Sequence, residues 1–156
     1  MSDKIKQPDN MEIGGRLNIK LEWNPSFKDD MSERLHRVQC VIDNSVLRYM
    51  TPYMPYRSGN LIKLTQIATV IGSGTIVQPG PYAHYLYKGE IYGPNIPIKE
   101  DGNIVGFFSP PSKQPTGRPL TYDQTKNPLA GPFWFERMKT DHKDDILKEA
   151  QREADR

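Results

Sequence analysis

Ser26-Phe27-Lys28-Asp29-Asp30-Met31-Ser32-Glu33-Arg34-Leu35-His36-Arg37-Val38-Gln39-Cys40-Val41-Ile42-Asp43-Asn44-Ser45-Val46-Leu47-Arg48-Tyr49-Met50 is the most strongly periodic stretch of the chain. Within it Phe27, Met31, Leu35, Val38, Ile42, Val46 and Tyr49 recur by fours and threes, which predicts one long helix with a single apolar stripe. Ser26 is placed to cap its start, and Asp29 and Asp30 put negative charge in the first turn, where the helix dipole favours it. Thr51-Pro52 ends it, because the residue before proline avoids the helical region. Trp23, Phe27, Met31, Leu35, Val38, Ile42 and Val46 are the expected core on this side, with Trp134 from further along the chain.

Upstream, Ile13, Leu17, Ile19, Leu21 and Trp23 fall on every second position around Gly14-Gly15, which predicts a half-buried strand over 11–23 with a bulge. Residues 1–10 are polar and aperiodic and are expected to be a flexible arm; they carry no apolar run of the kind a secretory signal has. Downstream, the β-branched runs Leu64–Ile71 and Thr75–Gln78 flank Gly72-Ser73-Gly74 and predict a hairpin over 64–78. The expected fold class is therefore α+β: a small antiparallel sheet, from the 11–23 strand and that hairpin, packed on the long helix. Tyr82–Lys88 is expected to form one or two helical turns stopped by Gly89.

The segment 89–131 is an extended arm on this reading, since residues 89–132 hold eight of the fourteen prolines. Inside it Glu100-Asp101-Gly102-Asn103 predicts a turn between strands 95–99 and 104–109, while 110–128 shows no pattern. Such an arm is expected to be ordered only in an assembly. Pro132 opens a C-terminal helix over 132–155 whose second half is nearly all charge and suits a projection or a partner. Domain organisation thus reads as one domain over 11–156 after the arm.

The 156 residues are 36% hydrophobic and 26% charged, with 21 basic against 19 acidic side chains and a net charge of +2. That balance speaks against a dedicated nucleic-acid binder. No window is apolar for long enough to cross a membrane. A lone cysteine, Cys40, excludes a disulfide scaffold and fits a reducing, intracellular setting. Beside an apolar stripe it reads as a packing residue. His36, His84 and His142 lie about fifty residues apart, without the spacing of zinc ligands, so no metal or cofactor is expected. His36 and His142 sit among charged helical residues and read as solvated; His84, among four aromatics, reads as packed. Gly72-Ser73-Gly74 lacks the Lys-Ser/Thr of a phosphate loop, and Asp29-Asp30 and Asp144-Asp145 are adjacent rather than opposed. No catalytic constellation emerges.

What the chain has instead is aromatic loop surface. Tyr53, Tyr56, Arg57, Tyr82, Tyr85, Tyr87, Tyr92, Phe107, Phe108, Arg118 and Tyr122 form the candidate subunit or partner interface, since tyrosine and arginine outside a core are enriched at interfaces.

Four segments, in order after the long helix, carry a family resemblance: Met50–Leu61 with Pro55-Tyr56-Arg57-Ser58-Gly59-Asn60-Leu61, Pro81–Gly89 with Tyr82-Ala83-His84-Tyr85, Gly117–Tyr122, and Pro128–Lys139 with Pro132-Phe133-Trp134. Over roughly residues 26–150 the chain resembles the minor capsid proteins of tailed bacteriophages of Gram-positive hosts, within the broader head–tail joining (tail-completion) group. The resemblance implies a non-enzymatic structural protein of the virion neck, made in the host cytoplasm and built into a homo-oligomeric, hexameric ring. Its implied partners are connector or stopper proteins on one side and tail terminator or tail-tube proteins on the other. Double-stranded DNA would pass through without sequence-specific binding, and no membrane is involved. Two other classes remain open on the residues alone: an adaptor module using its Tyr/Arg-rich surface, and a small enzyme using His84.

Overall fold

A computed structural model describes residues 6–156. Part of the arm expected over 1–10 lies outside them, and residues 6–10 carry no regular structure. The elements run β1 (Met11–Ile13), β2 (Ile19–Leu21), α1 (Phe27–Met50), a 3-10 turn (Thr51–Tyr53), α2 (Asn60–Ala68), α3 (Ala83–Lys88), β3 (Glu90–Gly93), β4 (Ile96–Glu100), β5 (Asn103–Phe108), β6 (Gln114–Pro119) and α4 (Trp134–Ala154). The fold is α+β, with small antiparallel sheets, a long helix and a C-terminal helix, as the sequence implies.

The sheets are three separate antiparallel pairs, β1–β2, β3–β6 and β4–β5, rather than one sheet beneath α1. The expected 11–23 strand folds back on itself. Gly14-Gly15 make a turn held by the Gly15 N–H donating to Asn18 Oδ1 at 3.3 Å, so Met11 pairs with Leu21 and Ile13 with Ile19. The expected 64–78 hairpin is absent: its first run is the helix α2, and 75–79 carries no regular structure. Leu61, Thr65 and Ala68 share the inward helical face, and Thr65, fully buried, turns its hydroxyl onto the Leu61 carbonyl at 2.8 Å, while Leu64 beside them is exposed. Burial of that face overrides the strand preference of Ile62, Thr65 and Ile67.

Contacts divide the chain into two compact units. The first takes the chain through Arg48, 70–76 and Lys143–Arg156. Here the residues of α1 meet α4, not a sheet: Ser45 Oγ donates to Glu149, and Arg48 Nη2 lies 2.5 Å from the same carboxylate. Ile146 and Ala150 are buried, so the charged second half of α4 is packed within the chain rather than projecting. The expected stripe is correspondingly rotated. Leu35 is 51% exposed and is not core, whereas Asp43 and Ser45 are buried. Trp23, Phe27, Met31, Val38, Ile42 and Val46 are half-buried, with the Trp23 and Phe27 rings 5.1 Å apart.

Asp43 is buried because it organises the glycine loop. Its carboxylate accepts the N–H groups of Gly72 (2.7 Å) and Gly74 (3.1 Å), and Gln39 Nε2 donates to its other oxygen at 2.7 Å. Gly72 has φ of 89°, and a Cβ there would lie 2.5 Å from His36 and 2.9 Å from Cys40 Sγ. His36, exposed as expected, and Cys40 therefore form the seat of this loop.

The second unit takes Tyr49–Thr69 and Val77–His142. Its core is Met50, Tyr53, Met54, Ala83, Ala130, Trp134 and Met138. Trp134 is fully buried, with Tyr87 edge-on at 4.7 Å. His142, expected to be solvated, stacks on Tyr49 at 4.4 Å. Gly89 ends α3 in the left-handed region (φ 75°), as the sequence predicts, and a Cβ there would lie 2.6 Å from Pro132. Pro132 precedes α4 by two residues instead of opening it; Phe133, at φ 48°, makes the entry and donates its N–H to the Tyr87 carbonyl at 2.9 Å.

Candidate functional site

The expected interface residues separate into three groups: tyrosines tied by their hydroxyls to acceptors in the chain, half-buried tyrosines held by ring contacts, and residues open to solvent. Tyr53, buried, and Tyr87 and Tyr122, half-buried, are the tied ones. Tyr53 is buried, and its hydroxyl donates to Asp141 Oδ2 at 2.6 Å while the Arg137 guanidinium lies 5.5 Å from the ring centre. Burial first, and then the Asp141 carboxylate, hold this hydroxyl above the usual phenol range. Tyr87 donates to Glu136 and packs between Phe133 and Trp134; burial and that carboxylate raise its pKa strongly. Tyr122 donates to the Leu86 carbonyl at 2.5 Å, and burial raises it as well. Tyr53, being buried, cannot be an interface residue.

A second group is half-buried. Tyr85 and Tyr92 lie 4.7 Å apart, with exposed His84 edge-on to both. Tyr56 packs over Gly59, whose φ of 77° and missing side chain leave room for the ring, and Lys126 Nζ sits 4.9 Å above it.

The third group is open to solvent: Arg57, Tyr82, Phe107, Phe108 and Arg118. Two of these belong to a groove of about 790 Å³. Tyr56, Arg57, Leu64, Tyr82, Leu86 and Tyr122 contribute to its walls, and it lies wholly within the second unit. Arg57 has no ion-pair partner among the described residues. Asp123, on the same rim, is held below the usual carboxylate range by the Thr125 hydroxyl and by the Thr125 N–H at 2.9 Å.

Phe107 and Phe108 lie apart from the groove walls, on β5. The turn between β4 and β5 has positive φ at Asp101 (49°) and Gly102 (81°), the two-residue geometry that twists with its strands, as the sequence predicts. In the observed register Ile96 faces Phe108 and Ile98 faces Gly106 on one side of the ribbon, while Pro97 faces Phe107 and Lys99 faces Ile104 on the other. Both sides are therefore apolar, and Ile96, Ile98, Ile104, Val105, Phe107 and Phe108 are each 48–63% exposed. Arg118 lies on β6, which pairs with β3 inside the stretch expected to be patternless.

The sequence reading missed Ile96, Ile98, Ile104 and Val105 on the hairpin, and Leu61, Leu64, Leu86 and Leu120 on the groove. An apolar run without period-two alternation on a short hairpin was the available signal for the first set. The groove walls come from three distant segments, which no local pattern announces.

Among the described residues the sulfur–imidazole pair is Cys40 with His36. Cys40 Sγ lies 3.7 Å from His36 Nε2, but both belong to the loop seat and neither lines the groove. Among the described residues no group of three His, Cys, Asp or Glu side chains could hold a metal. Among the described residues no helix is long and apolar enough to cross a membrane.

A family model described as minor capsid protein matches residues 18–154. The chain belongs to the minor capsid protein family. No curated protein and no solved structure matches it. Membership gives this minor capsid protein a structural role in the phage virion.

Proposed function

We propose that this minor capsid protein is a non-enzymatic ring component of the virion neck, closing as a hexamer between the head connector and the tail. The observation that carries the reading is the β4–β5 ribbon, apolar on both sides and uncovered by its own chain. An isolated two-stranded hairpin is marginal in water, so such a ribbon makes physical sense where neighbours cover it. The resemblance over 26–150 supports the neck position and the six-fold order. A net charge of +2 suits a conduit, because a strongly basic wall would hold passing DNA through counterion release.

Cryo-microscopy of intact particles tests this, with density for the chain expected as a closed ring at the head–tail junction. Absence from virions, or a position elsewhere in the particle, overturns it. His84→Ala is expected to leave virion yield unchanged; a loss of yield with normal assembly would restore an enzymatic reading.

A further inference from the structure

We infer that the β4–β5 hairpin of one copy seats in the 790 Å³ groove of a second copy, head to tail, as the contact that builds the ring; this rests on the ring reading above. The two surfaces belong to one chain but are different surfaces, and each lacks what the other offers. The hairpin presents Ile96, Ile98 and Phe108 on one side and Pro97, Ile104 and Phe107 on the other, all without cover. The groove presents leucine and tyrosine walls in a volume typical of sites that bury apolar groups.

Charge agrees with shape. The hairpin ends in Glu100-Asp101, which make no ion pair among the described residues, and Lys99 leaves it one net negative charge. The groove's free charge is positive. Arg57 on the wall and Lys126 over the ring of Tyr56 are two cations against one acid on the wall, Asp123, which Thr125 keeps ionised, so one positive charge is left over. An acidic tip reaching Arg57 while the apolar sides of the ribbon line the groove satisfies both surfaces at once. A contact between two different patches is heterologous, and it closes into a ring where the rotation between copies permits.

Light scattering and sedimentation on the purified full chain test the contact. Phe107→Asp with Phe108→Asp removes the hairpin surface, and Leu64→Asp with Tyr82→Asp removes the groove. Wild type is expected to assemble as concentration rises, and each variant to stay monomeric. Their equimolar mixture is expected to stop at a one-to-one dimer, because only one intact hairpin and one intact groove remain between them. Arg57→Glu and Glu100→Lys, both at exposed sites, are each expected to weaken assembly about ten-fold, about 1.4 kcal/mol, and their combination to restore it. This pair decides the matter if the groove variant does not fold by circular dichroism.

Variants that assemble like wild type overturn the inference. So do a mixture that stays monomeric, charge reversals that fail to rescue each other, and a wild type that remains monomeric at millimolar concentration. The neck reading fails separately: rings built by this contact but imaged away from the neck keep the contact and lose the position. Neck rings indifferent to these variants do the reverse.

Discussion

The two ends of the 89–131 segment share a composition rich in proline and glycine and differ in everything that holds them. At its base the Leu120 N–H donates to the Gly89 carbonyl at 2.8 Å, and Tyr122 reaches Leu86. Asn127 Nδ2 donates to both the Thr51 carbonyl (2.9 Å) and the Met54 carbonyl (2.8 Å), tying the segment to the 3-10 turn that follows α1. Ala130 and Gly131 are buried, and the Gly131 N–H donates to the Tyr53 carbonyl at 3.3 Å. At its tip β4 and β5 have only each other. Proline density removes donors, but it does not decide whether a segment is anchored. That is decided by whether a side chain such as Asn127 or Tyr122 can reach a backbone group elsewhere.

The contrast breaks most sharply at Trp134, where the base meets α4. Trp134→Ala is expected to cost about 3–5 kcal/mol in denaturant unfolding, the range for a large aromatic lost from a core; a cost under about 1 kcal/mol would show that the base is not anchored there. Asn127→Ala should cost about 1–3 kcal/mol, since the Met54 carbonyl loses its amide donor and the Thr51 carbonyl keeps only the Met54 N–H. Tyr122→Phe should cost about 1 kcal/mol, one hydrogen bond to the backbone.

The same tyrosine gives a pH signature. Burial raises the folded pKa of Tyr122 above the unfolded value near 10, so the folded state keeps a proton that the unfolded chain releases. The stabilising effect is whole below pH about 10 and is lost as pH rises from there toward the folded value. Tyr53 and Tyr87 act with the same sign. Thermal melts across this alkaline range should fall less steeply for Tyr122→Phe than for wild type. At the tip, Phe107→Ser is expected to change monomer stability by less than about 0.5 kcal/mol, as for a surface position. A larger loss would mean that the ribbon is part of the fold and not an appendage.

Legibility in the sequence followed the same division. Elements specified by local chemistry were readable: the period of α1, the glycine after α3, the Asp101-Gly102 turn and the start of the last helix to within two residues. Elements specified by distant partners were not. Leu35 fits a stripe on paper, but burial goes to Asp43 and Ser45 because a glycine loop and Glu149 come to meet them. The α2 segment carries strand-forming residues and folds as a helix because one face has a place to be buried. The β6 strand has Pro115, Gly117 and Pro119 and is strand only because β3 is there to pair with it. At the candidate site Arg57, Tyr82, Phe107 and Phe108 are exposed, as the sequence reading expects. Tyr53, Tyr87 and Tyr122 were not separable from them, since a tyrosine's loop position does not reveal whether its hydroxyl has an internal acceptor.

The exposed β4–β5 ribbon also has to avoid pairing with copies of itself. Bare apolar strands with open edges are templates for runaway pairing into fibres. Pro97 offers no N–H to an incoming strand, Lys99 places a charge beside it, and the register shift between Ile98 and Lys99 bends the edge out of line. These gatekeepers reject an indefinite stack of edges while leaving both apolar sides available to a shaped partner. Replacing Pro97 with valine would restore the missing donor, and the resulting loss would be seen in the soluble yield of the protein, not in its melting temperature.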